Sequence, residues 1–244
     1  MSRQLKQSPR IESHLATVEN SLIERLPRRD RLRLLASCES VHLVLAEVLC
    51  EPGAPTSHVY FPINGFISMV AMIEGSPGVE VGMVGREGMV GAELALGVAI
   101  APLHALVQGS GAAWRMGTKL FRRELASSSA LQRSLGRYIY VQMAQFATSA
   151  ACLRFHLIGP RLARWLLMTQ DRAHADSFHV TQEFLAYMLG VRRVGITVAA
   201  GELQRQKLIK YRRGDFTVLD RRGLERAACH CYAVDRKSYS NLLK

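Results

Sequence analysis

Between Ser128 and Leu157 an apolar residue recurs every three or four positions: Leu131, Leu135, Ile139, Met143, Phe146, Ala150, Leu153 and Leu157. That spacing predicts a helix of about eight turns. A second face carries Ala144, Ala147, Thr148 and Ala151, small enough to admit another helix at close range. A helix of this length in a soluble chain predicts an interface spine. The expected dimer seam comprises Leu135, Ile139, Met143, Phe146, Ala150 and Leu153, and burial of the same stripe within its own domain is the alternative.

The pattern ahead of this helix is different. Leu22, Ile23, Leu26, Leu32 and Leu35 are spaced for short helices broken at Pro27, after a polar stretch, residues 1–20, expected to fray. From Val41 to Met116, short Val-, Ile-, Phe- and Tyr-rich runs alternate with turn signals at Pro52-Gly53, Asn64-Gly65, Pro77-Gly78 and Gly85-Arg-Glu-Gly88. Strands are expected near 41–50, 57–61, 65–73, 79–84, 102–108 and 111–116, and their regular spacing predicts an antiparallel barrel or roll.

After the long helix, Gly159-Pro160 is expected to end it, and a second helix to run from Arg161 to about Arg172, followed by a connector at 174–180. Thr181-Gln-Glu-Phe-Leu-Ala-Tyr-Met-Leu-Gly190 has an N-cap threonine, an acidic residue in the first turn and a terminal glycine. A further helix follows Val191, with Ile196, Ala199, Ala200 and Leu203 inward. Two short helices joined by a Gly-containing turn make a helix-turn-helix. Leu208 to Leu219 then reads as two strands around Gly214-Asp215, a hairpin wing with Arg212 and Arg213 at its tip. The expected fold is α+β: helices and a β-roll over 1–127, a long helix over 128–158 and a winged helix-turn-helix with a C-terminal tail over 159–244.

Charge sharpens this division. The 244-residue chain carries a net charge of +12. From Ala151 to Lys244 there are 17 Lys/Arg against 8 Asp/Glu, and from Met1 to Ala150 15 against 12. A basic excess concentrated in one module favours a nucleic-acid partner over a generally basic enzyme. No nucleophile–base arrangement, paired carboxylates, metal motif or G-x-x-x-x-G-K phosphate loop occurs, so an enzyme is not expected. Five cysteines (Cys38, Cys50, Cys152, Cys229 and Cys231) in a chain of this size do not predict a disulfide framework. Cys229-His-Cys231 lacks two further ligands at standard spacing, so no metal is expected there. The longest uncharged run, Leu94 to Trp114, is broken by Pro102 and glycines and reads as strands and turns. A soluble cytoplasmic protein with no membrane segment is the expectation.

A roll of short strands (PTSHVYFPINGFIS and VEVGMVGREGMVGAELALG), a long helix, TQEFLAYMLGVRR and a wing ending in VLD together resemble the Crp/Fnr family of transcription regulators, from about Leu22 to Asp220. The resemblance implies a cyclic-nucleotide-binding-type roll, a dimerisation helix and a homodimer on double-stranded DNA at promoters, with RNA polymerase as a further candidate partner. It places Thr181, Gln182, Arg192, Arg193, Val194, Thr197, Val198, Arg212 and Arg213 at the DNA. Much of the family has an Arg-Glu pair early in the recognition helix and another Arg one turn later. Arg193 matches the first, whereas Val194 and Val198 occupy the other two positions. The valines either meet thymine methyls or pack against the scaffold.

In nucleotide-binding members a Gly-Glu-Leu and an Arg-Ser pair hold ribose and cyclic phosphate. This chain has Gly91-Ala-Glu93-Leu94, an effector pocket with one residue inserted, and AIAPLHALV where Arg-Ser is expected. Cyclic AMP in the usual mode is therefore not expected. No cofactor is evident: Cys38 and Cys50 are too few for the family's N-terminal iron–sulfur cluster, and no pattern selects a haem ligand among the histidines. A ligand-binding or scaffold protein whose helix-turn-helix makes protein contacts is the alternative to a DNA-binding regulator.

Overall fold

The computed structural model describes residues 20–75 and 78–243. Of the polar stretch expected to fray, residues 1–19 lie outside these, as do Pro77 of the Pro77-Gly78 turn and Lys244. Asn20 does not fray. It is fully buried, and its side-chain oxygen accepts from the backbone N–H of Leu22 and Ile23 to cap α1 (Ser21–Glu24). Its Nδ2 donates to the carbonyls of Pro62 and Gly88, each at 2.9 Å. One amide thus satisfies a helix start and fastens it to the roll.

After α2 (Arg28–Ala36) come β1 (Glu39–Leu43), β2 (Val48–Cys50), β3 (His58–Pro62), β4 (Phe66–Ala71), β5 (Val79–Val84), β6 (His104–Gly109) and β7 (Gly111–Gly117). They form two antiparallel sheets, ordered β1-β7-β3 and β2-β6-β4-β5. The roll expected from the turn spacing is present. The single strand expected over 41–50 is two, because Ala46 adopts a φ of 66° and the Glu47 carboxylate accepts from the Val44 N–H across the turn. Gly65 is required where it stands: at φ +78° any Cβ would run into the carbonyls of Gly109 and Ser110. The segment after Gly91 coils into a 3-10 turn, Ala92–Leu96, which the sequence pattern does not announce.

Helix α3 (Thr118–Ser127) leads into α4 (Ser129–Phe155), whose N-terminus is capped by Ser128 accepting from the Leu131 N–H at 3.0 Å. The face of α4 buried in its own chain is Leu131, Leu135, Tyr138, Val141, Gln145, Ser149 and Cys152. Of the expected seam, this buried face takes only Leu135. Leu135 belongs to the core beneath the roll, and Ile139, Phe146 and Leu153 are only half-buried. Met143, by contrast, is 64% exposed. The stripe drifts off the true core because three inward positions are Tyr138, Gln145 and Ser149, which an apolar count passes over. Tyr138 is accepted there because its hydroxyl donates to the Met89 carbonyl at 3.0 Å.

Helix α4 ends before Gly159-Pro160. The break is at His156 and Leu157, both in extended conformation, and α5 (Ile158–Ala173) takes Gly159 and Pro160 into its first turn, where proline's missing N–H costs nothing. Phe155 and Leu157 flank the break at 76% and 82% exposure.

Eleven of the sixteen residues of α5 are buried, so this helix has no solvent face. Leu162, Leu166 and Met168 pack with Phe66, Val70 and Met83 of the roll and with the C-terminal helices in one continuous core. Three of the buried residues are arginines. Arg172 pairs with Glu87 of the roll at 2.9 Å, and Arg164 donates to Ser149 of α4 at 3.1 Å and to Asp235 at 2.7 Å. Close by, Ser68 of β4 donates to the Glu80 carboxylate at 2.6 Å, and burial pushes Glu80 up to about 7.

The remaining elements are β8 (Ser177–His179), α6 (Gln182–Met188), α7 (Arg193–Arg205), β9 (Ile209–Arg212), β10 (Asp215–Val218), α8 (Arg221–Ala227) and α9 (Cys231–Leu242). Helix α9 returns to pack along α4.

Candidate nucleic-acid interface

Thr181 starts α6 by accepting the Phe184 N–H on its hydroxyl at 3.1 Å. Gly190, at φ +60°, ends the helix and leads into the turn. The Leu189 carbonyl, left without a helical partner, takes a hydrogen bond from the buried Arg161 guanidinium. Helix α7 leaves at 109° to α6, within the range of a helix-turn-helix. Its inner face is Ile196, Ala199, Ala200 and Leu203, all buried, as the spacing predicts.

The outer face of α7 is open. Arg192 and Arg193 stand exposed at its N-terminal end, followed by Val194, Thr197 and Val198. Val194 and Val198 are 66% and 69% exposed, so in this chain they do not pack against the scaffold. Thr197 donates to Gln182 at 2.7 Å, which ties the outer face of α7 to the start of α6. Gly195 is not part of this face: a Cβ there would meet the Ile158 side chain. Its smallness lets α7 close on the first turn of α5. Gly201 has nothing within reach of a Cβ.

The wing is larger than the sequence indicates, and its turn is displaced. Asp215 pairs with Arg212, so the two-residue turn is Arg213-Gly214 rather than Gly214-Asp215. Both turn residues have positive φ, 52° and 95°, the requirement of a type I′ hairpin. Asp215 instead begins β10 and accepts from His179 at 2.8 Å. His179 lies on β8, within the stretch expected to be a connector, and β8 pairs with β10 to give a three-stranded sheet, β8-β10-β9. Lys210, Arg212 and Arg213 are exposed on it. Lys210 is an addition to the expected residues, although its alternation with Arg212 on one strand face is a legible signal.

The basic excess of the C-terminal part is not all available. Arg161, Arg164 and Arg172 are buried, and Arg221 is held by Asp171 at 2.6 Å and by the Tyr232 hydroxyl at 2.7 Å. Arg192 and Arg193 at the α7 end and Lys210, Arg212 and Arg213 on the wing are exposed, as are Lys207, Arg222, Arg226, Arg236 and Lys237 elsewhere in the module.

The residues expected to form an effector pocket share one turn. Gly91 sits at φ 90° and Leu94 is buried in the core, while the Glu93 carboxylate accepts from the Thr56 hydroxyl at 2.5 Å. Around the expected phosphate position Ala101, Ala105 and Val107 are buried, His104 is paired with Glu51 and Arg115 with Glu39, each at 2.8 Å. A separate cavity of about 1010 Å³ opens between the roll and the helix-turn-helix, lined by Ile73, Val79, Ile158, Tyr187, Arg192 and Val194 among others.

The C-terminal module matches a family model, the Crp-like helix-turn-helix domain, over residues 160–227. Solved structures extend the likeness to the whole architecture. FixK2 from Bradyrhizobium japonicum superposes with a TM-score of 0.67 at 13% identity, covering 79% of this chain and 98% of that one. This is the Crp/Fnr fold. The c-di-GMP responsive global regulator CLP of Xanthomonas campestris gives 0.64 at 17% identity, covering 79% and 99%. A CRP/FNR-family transcriptional regulator from Thermus thermophilus gives 0.64 at 21%, covering 78% and 98%. No curated protein sequence matches the chain. Among the described residues no single helix is long and apolar enough to cross a membrane; α6 with α7 reaches the required composition only as a pair bent by 109°, with its apolar face buried in the Crp/Fnr core.

The two α7 glycines separate by position. Gly201→Ala is expected to stabilise the protein by about 0.5–1 kcal/mol through the unfolded chain, and Gly195→Ala to gain less because Ile158 must move. Thermal denaturation of both variants checks the ranking; an equal gain contradicts the close approach of α5.

Proposed function

We propose that the protein is a sequence-specific DNA-binding transcription regulator that acts as a homodimer, and not an enzyme. The match of residues 160–227 to a Crp-like helix-turn-helix domain carries this reading. The open outer face of α7 beside a basic wing supports it. Two recognition helices would enter successive major grooves about 34 Å apart. Arg193 is suited to guanine O6 and N7, Val194 and Val198 to thymine methyls, and Lys210, Arg212 and Arg213 to phosphates. Thr181 and Gln182, at the start of α6, would meet the backbone, and Arg192 would join them. The exposed valines also suit a helix-turn-helix that binds protein, the second reading.

Selection of bound sequences from random oligonucleotides separates the two. The wild type should return a palindromic motif, and Arg193→Ala should relax one position per half-site at a cost of about 1–3 kcal/mol. Unchanged specificity in Arg193→Ala would place the wrong residue at the bases, and absence of any motif would favour the protein-binding reading.

The dimer seam we propose is the exposed row Gly136, Tyr140, Met143, Ala147 and Ala150 on α4. Its spacing of four and three is that of a coiled coil, and its small residues allow close packing. Met143→Glu would put one charge from each chain on the seam. Light scattering should then report the monomer mass, and an intact dimer would exclude this face.

Cyclic AMP in the usual mode is not part of the proposal. The groups around the expected phosphate position are apolar or already paired, and an anion placed there would be desolvated without donors. Calorimetric titration should show no saturable heat; tight binding would overturn this.

A further inference from the structure

Three cysteines and a histidine that lie far apart in the sequence converge at the break between α4 and α5. Cys152 lies in the last turn of α4, and His156 is the extended residue that caps its C-terminus. Cys229 lies in the turn between α8 and α9, and Cys231 is the first residue of α9. The four candidate ligand atoms all lie within 4.8 Å of one another. Cys152 Sγ is 3.5 Å from Cys229 Sγ, and Cys231 Sγ is 3.6 Å from His156 Nδ1. The three cysteines are buried and form a cluster apart from the other cores, and the histidine is half-buried.

The Cys152–Cys229 and Cys231–His156 separations are close to the edges of a tetrahedron around one ion. Zinc with Zn–S near 2.3 Å and Zn–N near 2.05 Å sets the S···S edge at about 3.8 Å and the S···N edge at about 3.6 Å. The set of three sulfurs and one nitrogen is that of a closed structural zinc site, with no position left for substrate or water. Cys229-His-Cys231 has no two further ligands at standard spacing in its own stretch of sequence; the end of α4 supplies them from the other side of the helix-turn-helix.

We propose that Cys152, His156, Cys229 and Cys231 bind a single zinc ion in a Cys₃His site. Three thiolates and one Zn²⁺ leave a net negative charge. Arg161 and Arg164 lie close enough to feel the charges of Cys152 and Cys229, and Asp235 already neutralises Arg164, so Arg161 offsets the remainder. On binding, the thiols release protons to solvent and no redox change occurs.

The site has a definite place in the architecture. His156 is the first residue past α4, and the Cys229 N–H donates to the Pro160 carbonyl in the first turn of α5 at 3.3 Å. One ion therefore ties the end of the long helix, the start of the next and the root of α9. It fixes the α4–α5 break, and with it the direction in which the helix-turn-helix leaves α4. This inference needs no DNA and stands apart from the functional proposal.

The test is metal analysis of the full-length protein purified with reductant from zinc-supplied cells, without an affinity tag that binds metal. One zinc per chain is expected. Cobalt(II) in its place should give the intense visible bands of tetrahedral thiolate coordination. Cys231→Ser and His156→Ala should each weaken retention against a chelator and change the cobalt spectrum, whereas Cys38→Ser and Cys50→Ser should change neither. If Cys231→Ser does not fold, His156→Ala, at a half-buried helix end, keeps the test open. Metal-free protein of undiminished thermal stability overturns the proposal, as does a Cys152–Cys229 disulfide under reducing conditions or zinc that all four variants retain equally. Iron or copper in the same ligands overturns the assignment to zinc.

Discussion

A charge taken out of water must find partners, and three arginines on one buried helix make that requirement the organising constraint of this fold. Helix α5 carries Arg161, Arg164 and Arg172 into the interior, and each guanidinium reaches a different set of neighbours. Arg161 reaches the end of α6, Arg164 reaches α4 and α9, and Arg172 reaches Glu87 of the roll and the ring of Tyr239. The apolar residues of α5 would accept many packings. The guanidiniums accept few, because an unpaired buried charge costs several kcal/mol. The relation of roll, long helix and helix-turn-helix is thereby specified by polar geometry set inside an apolar core.

The same fact explains what the sequence conceals. Composition cannot distinguish a cation aimed at phosphate from one locked in a core, so the C-terminal charge excess overstates the available positive surface. The local signals are more faithful. The Thr181 cap, the Gly190 terminus and the inward row Ile196, Ala199, Ala200 and Leu203 are legible because each depends on neighbours a few residues away. The roll is legible from its turns. The strand β8 is not, since the residues from Ser177 to His179 are a strand only by pairing with β10, far along the chain.

Helix α4 shows how a correct element can be given the wrong faces. Its length and boundaries follow from the sequence, but the row of inward residues is partly polar. Gln145 and Ser149 are core because the roll and Arg164 lie over them, and nothing in their residue types says so. The Cys₃His cluster is the extreme case: its ligands at the end of α4 and those at the start of α9 are separated by the whole helix-turn-helix and wing, so only the fold assembles it.

The break after α4 carries a consequence of its own. Phe155 and Leu157 stand in water on either side of it, although each would gain roughly 1.5–3 kcal/mol if covered. The joint is therefore not at rest in the apolar sense. Any partner surface or change of domain angle that shelters these two side chains is rewarded, and in a symmetric pair of chains the reward is counted twice. A bias of that size would move a two-state equilibrium by orders of magnitude.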